Sequence, residues 1–241
     1  MNSEISVRAI LTIDDAPSSS TQIILDALKQ NHVTAIFFCL GANMAQFPEM
    51  SQEIVRAGHT IGNHAHSHKA FSQMSLEEGI AEIELTERLI EDVHSQAGIP
   101  RKVKVFRFPY GDKGFGRNSQ YALLERYSPK VRALQQHLLR LKFQSPRSLG
   151  IQMPNIPSTE SPLYWDQDWL WSGDSWDWLF TMNALNPLEF GNWIDQKIIP
   201  SATDSQCEVL LFHDHFGHGH LLQQILPALT ARFHFTPNER I

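Results

Sequence analysis

Residues 7–41 read VRAILTIDDAPSSSTQIILDALKQNHVTAIFFCLG, and this stretch decides the fold. Val7–Ile13 is a short apolar run that stops at Asp14 and Asp15, which predicts a buried strand. Ile24, Leu25 and Leu28 then recur at helical spacing behind Ser and Thr residues suited to capping, which predicts a helix over Thr21–Asn31. Thr34–Leu40 predicts a second strand, Ala35-Ile36-Phe37-Phe38-Cys39-Leu40, that stops at Gly41. Strand, helix, strand is the unit of a parallel sheet with crossover helices, open or closed into a barrel.

The same alternation continues outward. A helix over Glu49–Ala57 is ended by Gly58, and Thr60-Ile61-Gly62 is a strand-like step before Asn63 and His64. Ser75–Gln96 reads as a long amphipathic helix with Ser75 as cap and Glu78 at the capping-box position. Val103–Phe108 and Glu208–Phe212 read as further strands, and Leu221–Ala231 as a closing helix. Residues 117–165 break the rhythm. A helical segment, Tyr121–Phe143, runs into Pro146, Pro154, Pro157 and Pro162, which reads as an inserted helix plus a loop over the sheet. The expectation is one α/β domain over residues 1–241, with 117–165 as an insertion or lid.

Composition narrows the function. Hydrophobic residues at 42% and charged residues at 19% describe a globular chain of 241 residues with a sizeable core. A formal charge of -6 argues against nucleic acid, whose phosphates need a basic face. The locally basic stretch from Arg126 to Arg147 reads as a solvated helix face. No segment approaches the ~20 apolar residues of a membrane span. The first apolar run is too short for a secretory signal, so the chain is expected in the cytoplasm; a start placed too late in the gene would make it secreted. Cys39 and Cys207 sit in or beside apolar runs and read as buried thiols.

The chemistry lies in short polar clusters at the ends of these runs. They are Thr12-Ile13-Asp14-Asp15, His64-Ala65-His66-Ser67-His68, Arg107-Phe108-Pro109-Tyr110, Asp174-Ser175-Trp176-Asp177-Trp178 and Leu211-Phe212-His213-Asp214. In parallel α/β folds, catalytic residues collect at the carboxyl ends of strands, where Asp14, His64, Arg107 and His213 all fall. His64 and His68, four apart, would share one face of a helical turn and could hold one metal ion, with His66 a bystander. Asp15 would complete a His-His-Asp set and leave a position open for water. Side chains alternate along a strand, so Asp14 and Asp15 would face opposite ways and serve separate roles. Arg107 would pair with Asp14, and the Tyr110 backbone N–H is placed as an oxyanion donor would be. His213 would protonate a leaving amine, its pKa kept high by a carboxylate such as Asp177. The run His213, His215, His218, His220 reads alternatively as a metal-binding tract. Of the tryptophans between Trp165 and Trp178, Trp178 is expected to line the site.

Taken in order, these clusters resemble the polysaccharide deacetylase family, the NodB-homology domain or carbohydrate esterase family 4, over about Thr12 to Asp214. The resemblance implies a distorted (β/α) barrel, of seven or eight strand–helix units, with a helical insertion before the fourth cluster. It implies removal of acetyl groups from N-acetylated glycans with zinc or another divalent ion such as cobalt, nickel or manganese. By position, Asp14 would be the general base and Asp15, His64 and His68 the metal ligands. Arg107 would orient Asp14, and Tyr110 would offer its N–H to the oxyanion. Asp177 would tune His213, the general acid, with Asp174 the alternative partner; Trp178 and Leu211 would wall the acetyl pocket. Ile13, Ala65 and Lys69 depart from the usual Phe, Ser or Thr, and Pro, and the stretch from Arg107 to Asp174 is longer than most members need.

The expected activity is therefore metal-dependent removal of an acetyl group from an N-acetylated carbohydrate. The alternatives are a cytosolic amidohydrolase or deformylase on a small acylamide, and an inactive carbohydrate-binding module on the same fold. No nucleic-acid or membrane partner is expected, and oligomeric state is left open.

Overall fold

The computed structural model describes residues 7–116, 128–154, 166–175, 177, 206–215 and 218–236. Their elements, in chain order, are β1 (Val7–Ala16), α1 (Thr21–Gln30), β2 (Ala35–Cys39), α2 (Gly41–Gln46), α3 (Pro48–Arg56) and β3 (Thr60–Asn63). Then follow α4 (Leu76–Ala97), α5 (Pro129–Arg140), β4 (Gly173–Asp174), β5 (Glu208–His213), α6 (His218–Thr230) and β6 (Phe233–Phe235). Every pairing is parallel, in the order β3-β2-β1-β5-β4, with β6 beside the start of β1. This is the α/β architecture expected from residues 7–41, with crossover helices between strands.

The alternation of β1 sorts the core into two layers. Ala9, Leu11 and Ile13 face one side and pack with Ile24 and Leu28 of α1 and with Leu222 and Ile225 of α6. Ile10 faces the other side, where Ile36, Phe38, Val105, Trp169 and Val209 fill the concave interior of the sheet. Each such large apolar side chain contributes about 1.5–3 kcal/mol when removed from water. Thr12, next on the interior side, is buried and donates its hydroxyl to the Leu210 carbonyl at 2.8 Å. Asp14 follows at the mouth. The interior thus grades from apolar to polar toward the carboxyl ends of the strands.

Some expectations change in detail. Val103–Phe108 does not form a strand: only Phe106 bridges β3, opposite Asn63, through Asn63 N–H to Val105 O (2.8 Å) and Arg107 N–H to Asn63 O (3.0 Å). The helix α2 and the strand β6 carry no periodicity signal of their own. The segment from Trp169 to Ser175 ties the two sides of the sheet together. Trp169 N–H donates to Phe106 O (2.7 Å), whereas Ser172 and Ser175 donate to Val209 O (2.9 Å) and Leu211 O (3.0 Å). No ladder closes the ring among the described residues, yet this one segment reaches both flanks, in keeping with a distorted barrel.

Helix α4 shows the local logic best. Ser75 Oγ accepts from the Glu78 N–H (3.1 Å), and Glu78 Oε2 accepts from the Ser75 N–H (2.7 Å), the reciprocal capping box its sequence predicts. Gly98 ends the helix at φ 70°, a left-handed conformation that costs a glycine little. Of residues 117–165, expected as an insertion, 128–154 lie among those described and hold α5, whose Leu134 and Leu138 pack with Phe71, Phe106 and Phe143. Residues 117–127 and 155–165 lie outside the described residues. Among the described residues, no helix is long and apolar enough to cross a membrane.

Candidate active site

A cavity of about 260 Å³ opens at the carboxyl ends of the strands, lined by Asp14, Asp15, His64, His68, Tyr110, Trp171, Asp174, Leu211, His213 and His215. Most of the residues singled out from sequence therefore converge on one place. The way the chain brings them there differs from simple periodicity.

Asp14 and Asp15 end β1, and strict alternation would send their carboxylates apart. Asp15 instead takes φ 67°, and the register with β2 shifts between Asp14 and Ala16. This bulge turns both carboxylates into the cavity: His64 Nε2 lies 3.6 Å from Asp14 Oδ2 and 3.5 Å from Asp15 Oδ1. The expectation that the two would face opposite ways is thus corrected. A left-handed non-glycine residue costs on the order of 1–3 kcal/mol and persists only where its surroundings hold it. Here Asn43 Nδ2 donates to the Asp15 carbonyl at 2.7 Å.

The two histidines also meet by strain rather than by helical spacing. Residues 64–68 form an irregular turn, with Ala65 at φ 63° and His68 at φ 58°. Asn63 Oδ1 accepts from the Ala65 N–H (2.9 Å), and Glu82 Oε2 accepts from the N–H groups of His66 (2.9 Å) and Ser67 (2.7 Å). His64 Nδ1 lies 2.8 Å from the Arg107 carbonyl, so this nitrogen donates to it and Nε2 is the atom turned to the cavity.

These residues fit a metal ion. Asp15, His64 and His68 each offer one ligand atom, all within 4.8 Å of one another. Asp15 Oδ1 is buried without a hydrogen-bond partner, 3.1 Å from His68 Nε2, which is where a cation would satisfy it. Burial by itself would raise the Asp15 carboxyl. The hydrogen bond from His215 and the charges of His64, His68 and His213 more than offset it and hold Asp15 well below the usual carboxylate range.

Arg107 is fully buried and gathers the centre of the sheet. Its Nη1 donates to Asp14 Oδ1 (2.6 Å) and Thr12 Oγ1 (2.9 Å), and its Nε and Nη2 donate to the carbonyls of Trp169 (3.3 Å) and Leu170 (3.1 Å). The guanidinium lies over the Phe38 ring at 4.2 Å. Asp14 is thereby aimed, with Oδ2 on the His64 side.

Tyr110 sits in a single turn, Pro109–Gly111, at φ 59°, with its ring 4.4 Å from that of His68. Gly111, at φ 67°, faces Trp171, and a Cβ there would lie 3.2 Å from the indole. Lys113 then anchors this loop to the segment before Trp169, with Nζ 2.5 Å from Asp166 and 3.2 Å from Asp168.

The choice between Asp174 and Asp177 is resolved by contact. Asp177 Oδ1 lies 2.6 Å from His213 Nδ1, and its Oδ2 accepts the His213 N–H at 2.7 Å; Asp174 lines the cavity instead. Burial would lower the His213 imidazole, but the Asp177 charge and hydrogen bond outweigh it and push it up to about 9. Leu211 is buried against the cavity. Trp178 lies outside the described residues, as do Trp165 and Trp176, whereas Trp171 lines the site.

His215 was named only as part of a possible metal-binding tract, and it reaches the cavity. His215 Nε2 stands 2.8 Å from Asp15 Oδ2, and its ring stacks on His213 at 5.9 Å and 7°. The tract reading placed it in a run of four histidines. Its position two residues past His213, on an extended chain, was the signal that it would face the same way. His220 of that run is exposed on α6.

Comparisons with known proteins bear on the family and the fold. The family model described as polysaccharide deacetylase matches residues 5–125, half of the chain. A peptidoglycan-N-acetylglucosamine deacetylase of Bacillus cereus is 39% identical over 103 residues, which are 42% of this chain and 36% of that protein. The chain thus spans about a third of the length of that relative. Among solved structures, the peptidoglycan deacetylase PdaC of Bacillus subtilis superimposes with a TM-score of 0.62 at 21% identity, covering 98% of this chain and 90% of that one. A carbohydrate esterase family 4 pseudoenzyme from Bacillus anthracis gives 0.64 at 20% identity, covering 95% and 63%. At such identities the two structures speak for the fold alone. The match to the family model and the shared fold place this chain in the polysaccharide deacetylase family.

Proposed function

We propose that this protein is a metal-dependent hydrolase that removes the acetyl group from an N-acetylated carbohydrate, using one water to give acetate and a free amine. The observation that carries this reading is the unpartnered Asp15 Oδ1 between His64 and His68, flanked by an acid–base pair of the right kind. A divalent cation held by Asp15, His64 and His68, zinc in the first place, would supply Lewis-acid chemistry, polarising an acyl oxygen and acidifying water.

The chain's own groups do the rest. Asp14, pinned through Oδ1 by Arg107, keeps Oδ2 on the metal side and takes a proton from the attacking water. The Tyr110 N–H, at the cavity rim, donates to the developing oxyanion. His213, protonated and held through Nδ1 by Asp177, uses its other nitrogen to protonate the departing amine. Leu211 walls the space for the acetyl methyl, and Trp171, with Trp178 as the further candidate, offers an aromatic face to a sugar ring.

Two of the three proteins compared are named for peptidoglycan, which favours a carbohydrate over a small acylamide. The presence of Asp14, Asp15, His64, His68 and His213 around one cavity favours an active enzyme over an inactive module on this fold. The test is acetate release from N-acetylglucosamine oligomers, from monomer to hexamer, with wild type and Asp14→Asn. Zinc-dependent release by wild type, with the variant inactive yet still binding zinc, is expected. Wild-type rates in Asp14→Asn would remove Asp14 from the base role, and no acetate from any oligomer would contradict the proposed reaction.

A further inference from the structure

Asp15 has two carboxylate oxygens in unlike surroundings. Oδ1 is buried, lacks a hydrogen-bond partner and faces His68 Nε2 at 3.1 Å and His64 Nε2 at 3.5 Å. Oδ2 meets His215 Nε2 at 2.8 Å. Among the described residues, the group whose ligand atoms all lie within 4.8 Å of one another holds Asp15, His64 and His68, and His215 is not part of it.

The chain delivers His215 to this place by a built connection. Asp214 is buried, and its N–H donates to the Asp14 carbonyl at 2.8 Å, carrying the β1–β5 pairing one residue past the strand end. Its carboxylate accepts from Ser18 N–H (3.1 Å), Ser18 Oγ (2.6 Å) and Thr21 Oγ1. With Asp214 tied to Asp14, the next residue along β5 lands beside the next residue along β1. The His215 ring is further aligned by stacking on His213, itself fixed by Asp177. Two parallel imidazoles therefore stand side by side, each on its own carboxylate.

We infer that His215 is a positioning residue for the metal-ligating carboxylate: its Nε2–H occupies Asp15 Oδ2, so that Oδ1 alone is presented to the cation. The inference rests on the metal-dependent reading above. A carboxylate left without this partner is able to swing or to offer both oxygens. Hydrogen bonds to the far side of a ligand restrict that freedom, and losing one lowers metal affinity about 10–100-fold. His215 is half exposed, so truncating it leaves no buried void.

The experiment compares wild type, His215→Ala and His215→Gln, each first stripped of metal. Zinc affinity is measured by competition with a chromophoric chelator, the visible spectrum of the cobalt(II)-loaded protein reports the ligand set, and thermal unfolding of the metal-free protein reports folding. The expected result is zinc binding weakened about 10–100-fold in His215→Ala and largely recovered in His215→Gln, whose amide supplies an N–H at similar reach. Cobalt bands should keep their positions in all three, and the metal-free midpoints should agree. Equal zinc affinity in wild type and His215→Ala overturns the inference while leaving the metal reading intact. Equal loss in both variants overturns the donor role, and displaced cobalt bands in His215→Ala would make His215 a ligand instead. A wild type that binds no zinc overturns both readings.

Discussion

At the scale of single residues, the identity of the groups that line the cavity was legible and their geometry was not. Asp14, Asp15, His64, His68, Arg107, Tyr110, Leu211 and His213 were all marked by residue type, and all but Arg107 line the cavity. What sequence rules concealed was the backbone: Asp15, Ala65, His68 and Tyr110 adopt positive φ without being glycine, against a steric preference that composition does not advertise. Alternation and helical spacing therefore pointed the carboxylates and imidazoles along the wrong routes to the right cavity. The Asp177–His213 pair gives a residue-scale prediction. Its partner raises the His213 pKa from 6.5 to about 9, so the pair stabilises the fold fully below about pH 6.5, and that contribution fades as pH rises through about 9. In metal-free protein, the unfolding temperature of wild type should exceed that of Asp177→Asn at pH 6, and the gap should narrow by pH 10. A gap that widens with pH would contradict the assigned direction.

At the scale of elements, the signals that worked were those with a local cause. The Ser75–Glu78 capping box named the start of α4, and Gly98 its end, because both act through hydrogen bonds and dihedrals within one turn. Ser75→Ala should lower stability by about 1 kcal/mol, seen as a lower denaturant midpoint with an unchanged slope. No change in midpoint would show that the box is idle. The failures had tertiary causes. Residues 103–108 carry strand-like side chains but pair with β3 at Phe106 alone. The strand β6 forms because the open start of β1 offers Val7–Ala9 a partner in Phe233–Phe235. Neither is encoded in local periodicity.

At the scale of the whole molecule, one sheet does two jobs. Its convex side buries apolar residues under α1 and α6, and its concave side grades from Ile10 and Val209, through Thr12 and Arg107, to Asp14 and the histidines. Arg107 joins both halves, since its buried guanidinium anchors the Asp14 carboxylate and the Trp169–Leu170 backbone that spans the flanks of the sheet. The parallel topology brings the carboxyl ends of β1, β3, β4 and β5 to one mouth, which explains why clusters so far apart in sequence meet there. The central claim is that the cluster of Asp15, His64 and His68 makes hydrolysis depend on one metal ion. It is tested most directly by titrating chelator-stripped protein with zinc while measuring acetate released from an N-acetylglucosamine oligomer. Activity that rises in proportion to zinc and levels off at about one equivalent, with none in His64→Ala or His68→Ala, is the predicted result. Acetate release that is undiminished in the stripped protein would contradict the account.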